Sequence, residues 1–482
     1  MTAMLPSEDF LEALESAVRS GGAAESLGRL ATALEADPVP SAVWLVLAAI
    51  ARGLPTDDEV RTAHRLLIRG RSVDVVRRAA QSGRRGPRAR RRVELLRDAV
   101  VVDVRHTAET ALATGIQRVA RQTVRRWVRD HDPLLTTWTE DGLAMRRLTA
   151  DERATALDGA FPLHRSTRLA DREVIVPIGG TYILPELAAE IWRVDRVAAL
   201  ADYSGMTSGV VGFDLVPITS AETVGDGMPT AFSRNLGAAA RMDKVGAISE
   251  AAATEYRGWR DMLVASGLPG PTVESVLLAA EVGEVTDDDL AEFESLVPPT
   301  GRQLVVVIGS HEPRKNHLAV LHAAERAWRA GLEFDLVFIG GNSWNSLDFA
   351  DMVTRMTAKG RHVTSLSSIS DPVVWAALRR ADFTVFVSVN EGFGLPVAES
   401  LASGTPVITS AFGSMAQIAA SGGAMTVDPR DDDSVSRAFM QLLSDPELAA
   451  RLRREASRYE VRTWDSYAAD LWEYFMNDGS SQ

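Results

Sequence analysis

The 482-residue chain contains no cysteine. That absence excludes disulfides, thiolate metal sites and cysteine nucleophiles, and it fits a reducing compartment. Aromatic residues supply only 6% of the chain, and no apolar run reaches the roughly 18 residues that a membrane span requires. The N-terminal MTAMLPSEDFLEALE has neither the basic start nor the apolar core of a signal peptide. The expected location is therefore the cytoplasm, with peripheral attachment at the inner membrane face as the variant. Also missing are a Gly-x-Ser-x-Gly elbow, a Walker loop and a His-Glu-x-x-His helix, which removes the common hydrolase, nucleotidase and metalloprotease readings.

What is present reads as an ordinary globular composition, with 24% charged and 46% hydrophobic residues. The length favours two or three domains. A formal net charge of -13 disfavours nucleic acid as a partner, because phosphate backbones attract basic surfaces. Against that background, arginines crowd residues 77–97. This stretch suits either a solvated helix and linker or a contact with a partner protein or an anionic membrane surface.

Residues 1–95 carry apolar residues at helical spacing (FLEALESAV, SAVWLVLAAIARGL) and no strand alternation, which predicts a helical N-terminal module ending in the polar linker SGRRGPRARRR at 82–92. From there the texture changes to short β-branched runs between amphipathic stretches, the pattern of βαβ units. Strands are expected at 99–104, 174–179, 210–218, 244–249 and 273–279, making an α/β domain over 96–298. A second, more regular series over 299–462 has strands at 303–310, 334–341, 362–370, 382–389 and 405–411. The acidic helix and Pro-Pro-Gly of 284–301 read as the connection between them. The aromatic-rich segment 463–482 is expected to be a terminal helix packing back across the lobes.

Ligands of open α/β sheets bind beyond the carboxyl ends of the strands. After VVVIGS comes His311-Glu312-Pro313-Arg314-Lys315-Asn316, which sets two cations where a helix begins and where the dipole also favours an anion. A Pro-started helix with solvated basic side chains explains the same residues. After VFVSV comes Asn390-Glu391-Gly392-Phe393-Gly394-Leu395-Pro396, with Glu399 about two turns into the next helix. Gly392 and Gly394 let the backbone approach a ligand, and the two carboxylates can accept hydrogen bonds from sugar hydroxyls.

Together these loops resemble the glycosyltransferases of family 4, whose GT-B architecture has two facing Rossmann-like lobes. The resemblance covers residues 300–480 and rests on Gly-x-x-Glu-Pro-Arg-Lys-Asn (Gly309 to Asn316), on Gly340-Gly341, and on the Glu-x7-Glu element from Glu391 to Glu399. It implies an α/β GT-B protein preceded by an α-helical module, with an acceptor lobe and then a donor lobe. It also implies a retaining, metal-independent transfer of a hexose or deoxyhexose from a nucleotide-diphosphate sugar, without a cofactor, to a glycan, lipid-linked or protein acceptor. Carried over by position, Lys315 and Arg314 neutralise the diphosphate, Glu399 holds the ribose, and Glu391 contacts the transferred sugar. Ser310, Gly392 and the backbone of Phe393, Gly394 and Leu395 complete the donor site.

Two departures stand out: Ser310 occupies a position where many relatives have arginine, and Ala416-Gln417 replaces Pro-Glu, while Ser414 and Met415 keep the pattern. In the first lobe, Thr114-Gly115-Ile116-Gln117 looks like the glycine loop that meets the donor phosphate. The segment from Phe213 to Ile218 is similar to a His-Asp-Leu-Ile-Pro element with Phe213 in the histidine's place. Asp214 becomes the polar catalytic candidate there, and a loop or capping carboxylate accounts for it equally. The triplets Asp287-Asp288-Asp289 and Asp431-Asp432-Asp433 precede apolar-periodic helices, so capping is preferred over metal binding, and His311 is read as a loop side chain near the phosphates. Rival functions are an epimerase or phosphorylase on the same fold and a catalytically silent homologue that binds a partner or a glycan.

Overall fold

The computed structural model describes residues 5–110, 115–160, 169–341, 343 and 346–477. Five helices come first: α1 (Glu8–Arg19), α2 (Ala24–Ala36), α3 (Pro40–Ile50), α4 (Asp57–Leu67) and α5 (Ser72–Gly83). Helix α3 is apolar on all sides and is accordingly the buried centre of the group, with Val43, Trp44, Leu45 and Val46 inaccessible. Amphipathic α1, α4 and α5 cover it, and α4 begins at a capping box in which Thr56 and Glu59 satisfy each other's backbone N–H. Gly83, the last residue of α5, leaves no room for a side chain, since a Cβ there would lie 2.3 Å from the carbonyl oxygen of Ile50.

The sequence pattern suggests no strand before residue 96, but the structure has one. Strand β1 (Arg92–Arg97) crosses the expected boundary and pairs in parallel with β5 (Glu173–Ile178) at the edge of the first sheet. Its alternation is hidden by arginine and glutamate on the outward positions. The buried residues of α1 to α5 also belong to the same hydrophobic cluster as the first sheet. The helical module is thus an extension of the first lobe's core.

Among the described residues that sheet holds nine strands in the order β1-β5-β4-β3-β2-β6-β7-β8-β9. The others are β2 (Val100–Asp103), β3 (Leu134–Trp138), β4 (Met145–Arg147), β6 (Thr181–Leu184), β7 (Thr207–Gly212), β8 (Lys244–Ala247) and β9 (Thr272–Ser275). All neighbours are parallel except β4, which runs against β3 and β5. The five strands expected from the pattern appear as β2, β5, β7, β8 and β9. The short or threonine-bearing β3, β4 and β6 are additional, their signal too brief to separate from a loop.

Buried charge organises the exit from β2. Asp103 is inaccessible and accepts hydrogen bonds from Trp138 Nε1 and Tyr182 Oη, each at 2.8 Å, and Arg193 bridges it to Glu186 at 3.0 and 2.7 Å. Glu186 in turn accepts from the backbone N–H groups of His106 and Thr107 at 2.7 and 2.8 Å, which pins the short helix α6 (Arg105–Glu109). Such a group of charges is tolerable only when every member is paired.

The second sheet has the order β12-β11-β10-β13-β14-β15, all parallel: β10 (Gln303–Ile308), β11 (Phe334–Ile339), β12 (Val363–Leu366), β13 (Phe383–Phe386), β14 (Val407–Ser410) and β15 (Ala424–Val427). β15 is the strand the pattern missed. The connecting helix Asp287–Leu296 buries Phe293 among Val306, Val337 and Val373, so it is packed on the second lobe. Its N-cap is Thr286, with Asp289 closing a capping box, while Asp431 caps Asp432–Ser444.

The terminal helix Trp464–Met476 returns to the first lobe. Trp127, on α7 (Gly115–Asp130), donates to Ala468 O at 2.8 Å, and Trp472 stacks on His131 at 4.1 Å. Gly209 and Gly246 make room for it, since a Cβ on either would lie 2.5 Å from Phe475 or Leu471. Buried Lys244 donates to the carbonyls of Tyr474 and Phe475 at 3.0 and 3.1 Å, and also to that of Asn477. A cation on the last carbonyls of a helix complements its dipole. Among the described residues no helix is long and apolar enough to cross a membrane. Lys244→Met is expected to cost the first lobe about 2 kcal/mol, the worth of a charged hydrogen-bonding group. Urea unfolding followed by tryptophan fluorescence measures it, and an unchanged midpoint would show that the helix end needs no cation.

Candidate functional site

The second sheet reverses direction of winding between β10 and β13, the adjacent strands whose following loops diverge to opposite sides and leave a crevice. Both motif loops emerge there. After β10, Gly309 takes φ 142, and Gly340 must be glycine because a Cβ would come 2.0 Å from the Gly309 carbonyl oxygen. The turn Pro313–Lys315 follows, ended by Asn316 in a left-handed conformation and tied to Pro429 O at 2.7 Å. The carbonyl of Arg314 accepts from Val389 N and Ser388 Oγ, both at 2.9 Å, so the turn is riveted to the exit of β13.

This brings three charges together. Arg314 Nη1 and Lys315 Nζ each lie 2.6 Å from a different oxygen of Glu391. Arg314 also donates to Asn390 O at 2.9 Å and to Glu312 at 2.8 Å. Burial opposes ionisation of Glu391, yet the two cations outweigh it and hold the carboxyl at about 2. Ser414 Oγ donates to Glu391 O at 2.8 Å, fixing the loop from the third side. Gly394 is left-handed (φ 97) and caps the helix Leu395–Ala402, whose N-terminus favours an anion. Glu399 is the fifth residue of that helix, just past its first turn rather than two turns in, and it is 5% exposed.

The first lobe closes against this edge. A Cβ on Gly392 would sit 2.5 Å from Phe213 O and 3.0 Å from Asp214 Oδ2, so no side chain fits where the lobes touch. Ser249 Oγ donates to Gly392 O at 2.6 Å, and Asn390 reaches Thr219 and Glu255 at 3.4 and 3.5 Å. Asp214 is raised to about 6 by burial, which Arg314 partly offsets and Glu391 and Glu255 reinforce. Glu399 binds Arg118, on α7, at 2.6 Å across the cleft; burial raises its pKa and the arginine opposes the rise.

Lys315, Arg314, Glu391 and Gly392 therefore share one wall, Asp214 meets it from the first lobe, and Glu399 joins it to α7, which Gly115 opens. Thr114 lies outside the described residues. Ser310 contributes its carbonyl to His317 Nε2 at 3.1 Å, and burial holds the His317 ring at about 4, hence neutral. His311 is buried against Phe349 at 4.1 Å and packed behind the loop. Phe213 offers its carbonyl while its ring is in the core. Among the described residues no group of three or more His, Asp or Glu is placed to hold a metal ion, the aspartate triplets included. Arg118, Ser249 and Glu255 escaped the sequence reading, since each is an ordinary residue of its helix or cap until the lobes meet.

Two facing lobes with largely parallel sheets and a charged crevice at the second lobe's switch point define the GT-B class. The fold matches the solved sucrose-phosphate synthase of Thermosynechococcus elongatus (TM-score 0.53, 15% identity, 79% of this chain and 98% of that one). It equally matches Anabaena HepE, solved in complex with UDP-glucose (TM-score 0.54, 12% identity, 79% and 100%). Residues 288–459 match the family Glycosyl transferases group 1, so the chain carries a domain of that group. Among curated relatives, the serotype-specific mannosyltransferase WbdA of Escherichia coli is 24% identical over 325 residues, 64% of this chain and 37% of WbdA. The O-antigen chain mannosyltransferase B of Escherichia coli is 31% identical over 141 residues, 29% of this chain and 36% of that protein. The chain thus spans little more than a third of the length of these relatives.

Glu391 generates a test of the cluster. Its folded value of about 2 lies below the ordinary 4.5, so its stabilisation is fully present above pH 4.5 and is lost as pH falls through about 2. The shift corresponds to on the order of 3 kcal/mol. Urea unfolding of Glu391→Gln against the parent between pH 5 and 2.5 should show this acid-side slope disappear. Parallel curves would mean that the carboxylate is not held by the two cations.

Proposed function

We propose that the chain is a glycosyltransferase that binds a nucleotide-diphosphate sugar in the cleft between its lobes and transfers a hexose or deoxyhexose to a glycan, lipid-linked or protein acceptor. The observation that carries this is the buried Arg314–Lys315–Glu391 cluster at the switch point, faced by Asp214 from the other lobe. Lys315 and Arg314 supply the positive charge that a departing diphosphate needs, in a low-dielectric wall where it acts strongly. This supports a transfer that uses neither a metal nor a cofactor. As the diphosphate engages these cations, Glu391 stays ionised and accepts hydrogen bonds from sugar hydroxyls, and the N-terminus of the helix Leu395–Ala402 adds its dipole.

Glu399 would hold the ribose hydroxyls, with Arg118 yielding or sharing the carboxylate. Retention of configuration follows if the acceptor attacks from the face that the diphosphate leaves. Asp214 borders that face and is ionised above pH about 6, which suits it to stabilise positive charge developing on the sugar. The curated relatives are named mannosyltransferases, so mannosyl donors come first in a screen. The arginine-rich face of α5 and the following turn supports docking to a partner protein or an anionic membrane surface from the cytoplasmic side. Replacement of the usual histidine by Phe213 supports the second reading, a silent homologue that binds but does not transfer.

A thermal-shift and hydrolysis screen against UDP-, GDP- and dTDP-sugars separates the two readings. One donor is expected to stabilise the protein and be slowly hydrolysed, with both effects lost in Lys315→Ala and Glu399→Ala; binding without hydrolysis favours the silent homologue, and no response to any donor rejects the transferase. With a donor in hand, kcat/KM should fall below pH about 6, and Asp214→Asn should lower it at least tenfold, roughly 1.4 kcal/mol, and remove that limb. A variant that keeps both rate and limb excludes Asp214 from the chemistry.

A further inference from the structure

Where α1, α3 and α5 meet the start of β1, the helical module forms an open cavity of about 390 Å³ that shares no residue with the cleft. Arg19, Arg52, Arg84, Arg91 and Arg92 line it, and none of its described lining residues is acidic. In a chain of net charge -13 such a concentration is not background. Two of the five have carboxylate partners: Arg91 binds Asp141 at 2.6 Å, and Arg19 lies 3.6 Å from Glu15. Arg52 donates only to the carbonyls of Arg88 and Ala89, at 3.4 and 3.0 Å, and Arg84 only to Gly22 O at 3.3 Å. Among the described residues, Arg52, Arg84 and Arg92 have no carboxylate within ion-pairing distance.

Two further features mark the cavity as built. Arg91 is 3% exposed, and its Nη atoms are engaged by Arg52 O at 3.1 Å and by Asp141, yet its Nε has no hydrogen-bond partner. A buried guanidinium N–H left without an acceptor is destabilising. Arg52 stands at φ 58, a left-handed conformation that a long side chain adopts at a cost. Both costs fall on residues that line the same cavity.

We propose that this cavity is a binding site for a phosphate-type oxyanion, a ligand bearing a phosphate or diphosphate group, distinct from the donor cleft and independent of whether transfer occurs. Guanidinium forks match phosphate oxygens in pairs. A multiply charged tetrahedral group engages several forks at once, which a single carboxylate cannot. The ligand neutralises the three uncompensated cations, Arg52, Arg84 and Arg92. A lipid headgroup and a soluble phosphorylated metabolite both present this chemistry.

Pyrophosphate is the probe, titrated calorimetrically into full-length Lys315→Ala, where the donor cleft has lost a cation, and into the same protein carrying Arg84→Ala and Arg92→Ala. Both added positions are exposed, so an unchanged melting temperature certifies the fold. Pyrophosphate should bind the first protein and bind the second at least roughly tenfold more weakly, the worth of one charge-assisted contact. Equal affinities, or no binding to the first protein, would overturn the proposal. Co-sedimentation with phosphatidylcholine vesicles, with and without phosphatidylglycerol, then tells the source. Sedimentation that needs the acidic lipid and both arginines, and that pyrophosphate competes away, identifies a headgroup; pyrophosphate binding without sedimentation identifies a soluble ligand.

Discussion

Glu391 remains charged within a largely buried wall because Arg314 and Lys315 meet its two oxygens from the neighbouring loop. Neither loop would be stable there alone. Buried, unpaired charge is expensive, and removing one partner of such a group typically costs about 3–5 kcal/mol. The rest of the edge is arranged to keep the three charges in register: Ser388 and Val389 hold the carbonyl of Arg314, Asn316 ties the turn to Pro429, and Ser414 holds the backbone of Glu391. The result is a pre-organised pair of cations whose carboxylate counter-charge is itself a ligand for hydroxyl groups. A diphosphate sugar presents the complementary pattern, an anion beside a ring of donors.

The second constraint is steric. Gly392 allows the backbone of the two lobes to touch, and Ser249 and Asn390 convert that touch into hydrogen bonds. Arg118 reaches across to Glu399 in the same closed arrangement. Because Glu399 is buried, its carboxylate needs a partner, and Arg118 supplies one from the other lobe.

Rigidity on the first-lobe side comes from buried polar groups that are paired with one another. Asp103, Arg193 and Glu186 fix α6 just ahead of α7, and Lys244 fastens the returning terminal helix. The helical module adds to the same core through α3 and β1. A lobe braced in this way holds Asp214 and Arg118 at fixed positions opposite the charged wall.

Much of this was written locally along the chain. Apart from β15, the strands of the second lobe read as runs in the sequence pattern, and the loops after β10 and β13 carry Arg314, Lys315, Glu391 and Glu399 within short segments, so hydrophobic patterning and local motifs determined the two-lobed fold and the donor-side candidates. β1, β4 and β6 were not legible, because their side chains are short runs of mixed polarity whose strand form depends on the neighbours they pair with. Arg118 and Glu399 are 281 residues apart, Ser249 and Gly392 143 apart, and the five arginines of the module's cavity come from four separate segments. Charge state, burial and contact at these places arise only when distant segments are brought together, since desolvation and Coulomb attraction depend on separation in space and leave no periodic trace in the order of residues. Sequence by itself thus determined which side chains were available for the chemistry, and tertiary structure alone decided which of them are charged, paired and facing one another.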